Sequence, residues 1–262
     1  MRVLIAGEGK SGTTALLRSV SAALGSPVEL FEPVSMEAHH LEPESLVVKK
    51  LLLNWKRPEA DLLDVFDKRV WIVRDPRDRL ISHLLYDAYN QAPNLNAKKR
   101  QRWVEAVRQK AEDPAGVPML HLTHAWWQIS GVDLLSHYVR AIDRARRFGR
   151  RPGETFFVIK YEDYVDQNFA ALEEYLGLSL ATGVVRTNEK RVARSGSHSD
   201  WRRWFTDADL AVFQPLSANW LRTHGYDHRD WQLDPVDQLD AATTHEYVTG
   251  LFAQRPLSRE SS

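Results

Sequence analysis

The chain contains no cysteine in 262 residues, which excludes a disulfide framework, a thiolate zinc site and a cysteine nucleophile, and which suits a reducing compartment. It has no excess of charge of either sign, since Lys plus Arg and Asp plus Glu both number 35. A neutral chain offers no general electrostatic case for nucleic acid or a membrane surface, so any basic site has to be local. No stretch reaches the ~18 uninterrupted apolar residues of a membrane span. The start does not resemble a signal peptide, because Met1 to Ala6 runs directly into Glu8 and Lys10. No internal repeat and no Gly/Ser- or Pro-rich linker breaks the chain. These absences predict one cytoplasmic domain over 1–262 with no nucleic-acid or membrane partner, and a polar, weakly periodic segment from about His228 that is loosely attached and peripheral.

What is present reads as strands alternating with helices. Short apolar runs at Arg2 to Ala6, Val28 to Phe31, Ser45 to Leu53, Arg69 to Val73 and Thr155 to Lys160 fit strands covered on both faces. Helical spacing runs through Leu16, Leu17, Val20 and Leu24, and helices are expected over Arg77–Tyr89, Ala97–Glu112 and Asp133–Phe148. The pattern predicts an α/β fold, with a central parallel β-sheet flanked by helices in the manner of the P-loop nucleoside triphosphatases.

The segment "VLIAGEGKSGTTALL", Val3 to Leu17, joins the first strand to the first helix. A Walker loop needs glycine, four residues, then Gly-Lys-Ser/Thr, which places its first glycine at residue 4; that residue is Leu4, inside the strand. The loop is therefore shorter than a triphosphate loop. It keeps the elements of an anion cradle: small residues, a helix N-terminus, Lys10, and the hydroxyls of Ser11, Thr13 and Thr14. A plain glycine turn would account for the glycines but not for a lysine with three hydroxyl residues in five positions.

A second constellation is "KRVWIVRDPRDRLISHLLY", Lys68 to Tyr86. Arg74 ends an apolar strand, at the carboxyl edge where doubly wound sheets bind ligands, and Ser82 lies eight residues on in the next helix. Arg74 and Ser82 can converge on one phosphate, the guanidinium supplying a bidentate fork. Alternatively, Asp75 caps the helix and Arg74 pairs with a nearby carboxylate.

Taken together, "KSGTT" and, about sixty residues later, "VRDPRDRLISHLL" resemble the sulfotransferase family that uses 3′-phosphoadenosine 5′-phosphosulfate. The resemblance implies that Lys10, Ser11, Gly12, Thr13 and Thr14 form the 5′-phosphosulfate loop and that Arg74 and Ser82 bind the 3′-phosphate. A third stretch, "ARSGSHSDWRRWF", is similar to the family's late Arg-Lys-Gly loop and Gly-Asp-Trp segment. It carries Arg194 and Gly196 to the 3′-phosphate, with Ser195 in place of the usual lysine and Ser199 in place of glycine. "VIKYEDY" resembles the segment whose tyrosine, here Tyr161, lies near the adenine. Ala15 stands where many relatives stack a tryptophan on that ring. The implied activity is sulfuryl transfer to a hydroxyl or amine of a small-molecule or carbohydrate acceptor, with no metal. Lys10 then serves the bridging oxygen and Ser11 restrains Lys10 until the acceptor arrives.

The base is expected after the first helix. Glu32, at a strand end, resembles the strand-end glutamate of carbohydrate- and bacterial-type sulfotransferases, and His40 or His39 are the alternatives. Lys49 and Lys50 sit in the following strand, where alternation lets only one face the active side. Trp126 and Trp127 belong to an acceptor pocket or to a helix-packing core, and Trp201, Trp204 and Phe205 are candidates to cover the adenine. Other readings are a P-loop kinase, disfavoured by Leu4 and by Arg74-Asp75-Pro76 in place of a Walker B carboxylate, and a nucleotide-binding scaffold without activity. No match to the dimerisation segment of many cytosolic relatives is present, so a monomer is expected.

Overall fold

A computed structural model of the protein describes residues 1–55, 63–149, 156–180 and 198–257, without the side chains of residues 38 and 39. The strands are β1 Arg2–Gly7, β2 Val28–Phe31, β3 Leu46–Leu51, β4 Lys68–Val73 and β5 Phe157–Lys160. The helices are α1 Thr13–Ala23, α2 Pro76–Gln91, α3 Ala97–Glu112, α4 Met119–Ser130, α5 Leu134–Phe148, α6 Tyr161–Val165, α7 Ala170–Leu176, α8 Trp201–Trp204, α9 Asp207–Thr223 and α10 His245–Ala253. The chain divides into two compact units, one of Met1–Asp75 with Asp143–Lys190, the other of Pro76–Ile142 with Arg191–Ser262.

The first unit contains the sheet, all parallel, in the order β2-β3-β1-β4-β5. This is the expected α/β class. The apolar runs alternate between two buried faces, as a strand's period of two requires. Val3, Ile5, Val47, Val70 and Ile72 face Leu16, Leu17 and Val20 of α1, with Tyr164, Leu172 and Leu176 of α6 and α7. Leu4, Leu46 and Val48 face Met36, Leu41, Leu63 and Phe66. Phe148 at the end of α5 packs edge-on against Trp71 of β4 and Trp55, with ring centroids 5.1 and 5.0 Å apart. Each fully buried Leu or Val contributes about 1.5–3 kcal/mol relative to exposure, so these faces hold the strand ends in place. β1 is central, with successive strands added on either side of it, which puts its carboxyl end at the switch point where ligands of such sheets bind. β3 is shorter than its apolar run, because Leu52–Asn54 turns into a 3-10 helix.

The second unit is helical. The Trp103 and Trp126 rings meet at 4.6 Å, and the Trp126 indole N–H donates to buried Asp87 at 2.9 Å. Trp126 thus belongs to the core, whereas Trp127 is half exposed. Asp209, fully buried, accepts the N–H groups of Met119, Leu120 and Thr206 and the Thr206 hydroxyl, all at 2.9 Å, and so joins the start of α9 to the start of α4. The polar end of the chain makes contacts within the second unit. The Asp234 N–H donates to the Arg202 carbonyl at 2.9 Å and the Leu239 N–H to the Ala111 carbonyl at 2.8 Å. Trp231 is buried beside Arg77, and α10 packs on α2 and α3 through Val248, Leu251 and Phe252. Val248, Leu251 and Phe252 keep the i, i+3, i+4 spacing of a helix face, but over one short stretch of the chain end.

Candidate active site

The loop from Glu8 to Gly12 connects β1 to α1 at the switch point. Two glycines make it compact. Gly12, the residue before α1, has φ 88, and a Cβ there would lie 2.4 Å from Cδ2 of Tyr161. A Cβ on Gly7 would lie 2.6 Å from the Thr13 methyl. No side chain caps the first turn of α1 and no acidic residue lies in it, so its N-terminal amides are aimed where an anion is favoured. The Ser11 N–H donates to the Glu8 carbonyl at 3.2 Å, closing the turn.

Lys10 has φ 68, a left-handed conformation that costs a non-glycine residue of the order of 1–3 kcal/mol. Arg74, at the end of β4, is placed to hold it there, its Nη1 donating to the Lys10 carbonyl at 3.1 Å. The Arg74 guanidinium also lies over the Tyr161 ring, 4.2 Å from its centroid. Loop, strand-end arginine and tyrosine therefore form one stack. Glu162 completes it by accepting the Asp75 N–H at 3.0 Å, which fixes the turn after Arg74.

Strand alternation decides between the two lysines. Lys49 shares the face of Val47, toward α1, and its ammonium donates to Thr14 Oγ1 at 2.7 Å and to Glu32 Oε1 at 2.5 Å. It also lies 3.9 Å from the centroid of the Phe31 ring. Lys50 shares the face of Val48 and donates to the carbonyls of Pro33 and Val34 at 2.7 and 3.1 Å, bracing the segment after Glu32. Glu32 has φ 52, and its N–H donates to the Lys49 carbonyl at 2.9 Å. Lys10 and Glu32 are thus two of the five non-glycine residues with left-handed backbone among those described. In the 3-10 turn Ala38–Leu41 the His40 Nδ1 accepts the Glu37 N–H at 3.3 Å. Of His39 only the backbone is described.

The structure thus gathers Lys10, Ser11, Gly12, Thr13, Thr14, Glu32, Arg74 and Tyr161 in the first unit. Ser82 lies buried on α2 in the second unit. One turn before it, Asp78 accepts the N–H groups of Ser199 at 2.6 Å and Trp201 at 2.9 Å, tying the end of the third motif to the helix of the second. Ser199 has φ 64, a left-handed backbone that glycine adopts freely. Arg194, Ser195 and Gly196 lie outside the described residues. Trp201, Trp204 and Phe205 are buried in the core of the second unit, where Trp201 packs on Arg77, Phe205 and Trp231. Sequence reasoning missed two partners. Glu162 sat unnoticed in the motif that supplied Tyr161. Arg144 of α5, one of four arginines between Arg140 and Arg147, forms a bidentate pair with Glu8 at 2.8 and 2.7 Å, and nothing in its spacing singles it out.

Among the described residues no group of three or more His, Asp or Glu side chains could hold a metal ion, and no helix is long and apolar enough to cross a membrane. The family model of the sulfotransferase domain matches residues 1–191. Among solved structures, mouse sulfotransferase SULT7A1 complexed with PAP is similar over 84% of each chain, with a TM-score of 0.53 and 15% identity, a likeness of fold. No curated protein matches the chain at a significant level.

Proposed function

The chain belongs to the sulfotransferase family, and from that premise we propose that it transfers a sulfuryl group from 3′-phosphoadenosine 5′-phosphosulfate to a hydroxyl or amine of a small-molecule or carbohydrate acceptor. In this reading the chain, 1–262, works as one sulfotransferase domain. The residues present fit the donor. Gly12 keeps the loop close against Tyr161, Lys10, Ser11, Thr13 and Thr14 offer a cation and hydroxyl donors, and Arg74 offers a guanidinium for the 3′-phosphate, to which Ser82 of the second unit is assigned by resemblance alone. The mouse enzyme of similar fold was solved with PAP, the product left by such a donor. Arg194 and Gly196 join Arg74 and Ser82 at the 3′-phosphate by resemblance alone.

The observation that carries the proposal is the Lys49 ammonium, which bonds both Thr14 of the loop and Glu32. It sets the candidate base beside the candidate donor loop. The donor supplies an activated sulfuryl group on a good leaving group. Glu32 accepts the proton of the acceptor hydroxyl as its oxygen attacks, and Lys10 stabilises the charge that grows on the bridging oxygen as the S–O bond breaks. Lys49 holds Glu32 in place and offers its charge to the peripheral oxygens. Ser11 restrains Lys10 between turnovers, and Tyr161 supports Arg74 from below.

On the acceptor side, Phe31 is 50% exposed, Val34 64% and Leu53 66%, all after or near the carboxyl ends of β2 and β3. Residues 29–44 carry five glutamates and no Lys or Arg. This edge favours an uncharged acceptor with an apolar body over an anionic glycan. The test is transfer of label from the 35S-labelled donor to an acceptor panel. Labelled product is expected from the parent and is expected to fall by about 10²–10⁴-fold in Glu32→Gln while PAP binding persists. No product with any acceptor class, or full activity in Glu32→Gln, would overturn the donor reading or the base respectively.

A further inference from the structure

We propose that Arg144 is a positioning residue that neutralises an acidic side chain built into the donor loop. The inference rests on the proposed donor site. Glu8 is an unexpected residue there: it opens a loop whose amides and lysine are arranged for an anion, and it is two residues from Lys10, so their Cα atoms are at most about 7.6 Å apart. A free carboxylate in such a loop opposes the phosphosulfate. Glu8 is not free. Its side chain is 8% exposed, and both of its oxygens accept from the Arg144 guanidinium, Nε to Oε1 at 2.8 Å and Nη2 to Oε2 at 2.7 Å. The fork is the strongest geometry available to a carboxylate. It draws the Glu8 side chain to α5 while the Glu8 carbonyl stays in the loop, accepting the Ser11 N–H. Arg144 thereby adds a charge that the loop's own sequence lacks, and α5 becomes part of the donor site without touching the donor.

A purely structural ion pair and this electrostatic role make different predictions for the two partners. Removing Arg144 exposes the carboxylate, whereas removing the Glu8 charge leaves the guanidinium as extra attraction for the ligand. Isothermal calorimetry with PAP on the full chain separates them. Arg144→Ala is expected to raise Kd by about tenfold or more, the effect of leaving one carboxylate of the donor loop unpaired beside a multiply charged anion. Glu8→Gln is expected to bind as tightly as the parent or tighter, and Glu8→Gln combined with Arg144→Ala is expected to return Kd to within about threefold of the parent. Arg144→Ala binding like the parent, a double variant as weak as Arg144→Ala, or a tenfold loss in Glu8→Gln alone would each overturn the inference. A parent chain that binds no PAP would overturn the donor reading and this inference with it.

Discussion

Gly12→Ala probes the packing on which the donor loop depends. The added methyl would lie 2.4 and 2.9 Å from Cδ2 and Cε2 of Tyr161 and 3.3 Å from Cδ1 of Ile72. Real Cβ contacts do not reach 2.4 Å, so the ring has to move, and overpacking of this kind costs about 1–3 kcal/mol. The backbone adds a second cost, since φ 88 lies in the left-handed region that L-residues occupy at about 1–2 kcal/mol. The sum is about 2–5 kcal/mol, or roughly 4–20 °C in the melting temperature of a domain of this size. The effect should reach function, because the ring that is displaced carries the Arg74 guanidinium. Gly9→Ala is the matched control: Gly9 has no atom within 4 Å of its Cβ position and is absent from the residues with positive φ. Differential scanning calorimetry should therefore find Gly12→Ala destabilised and Gly9→Ala within about 1 °C of the parent, with PAP binding weakened in Gly12→Ala. Adding Tyr161→Leu should recover part of the packing loss and none of the backbone cost. Equal melting temperatures for the two alanine variants would refute the reasoning.

Lys49→Met should lower turnover by about 10²-fold or more, and its combination with Glu32→Gln should be little worse than Glu32→Gln alone, because the two residues act as a unit; additive losses in single-turnover assays would separate them. Arg74→Ala should weaken PAP about 10- to 100-fold and narrow the preference for PAP over 5′-AMP, since a charge-assisted bond is worth ~1.5–3 kcal/mol; an unchanged preference in calorimetry would remove Arg74 from the 3′-phosphate. Lys110 gives a pH prediction. Fully buried and donating to the carbonyls of Pro114 and Val117, it has its pKa lowered by burial to about 8 from 10.5. Its unfolded form holds the proton between those values, so its contribution to stability is greatest above about pH 10.5 and is lost as pH falls toward 8. The slope is at most about 1.4 kcal/mol per pH unit, and denaturant titrations should show it in the parent and not in Lys110→Met.

The fold was legible because its signals are local. Apolar runs at β1 to β5 and helical spacing at α1 and α3 depend on neighbours in sequence, and Val28–Phe31 and Ala97–Glu112 match the structure residue for residue. The donor loop was legible for the same reason, as a contiguous run of small residues, hydroxyls and one lysine. Alternation alone established that Lys49 and Lys50 diverge, but only the register of β3 against β1 and the position of Thr14 show which faces the loop. Arg144 was not legible, because its partner Glu8 is 136 residues away and four arginines crowd its helix. The contacts of the polar chain end were not legible for a related reason. They are long-range, Trp231 on Arg77 and α10 on α2 and α3, and local spacing does not say which partner a helix face meets.

The most direct test of the account is calorimetric titration of the parent chain with PAP and, separately, with ATP and Mg²⁺. A loop one glycine short of the Walker pattern, with Arg74 at the end of the neighbouring strand, predicts that PAP binds at least about tenfold more tightly, a difference of about 1.4 kcal/mol. Tighter binding of ATP with Mg²⁺ would contradict it.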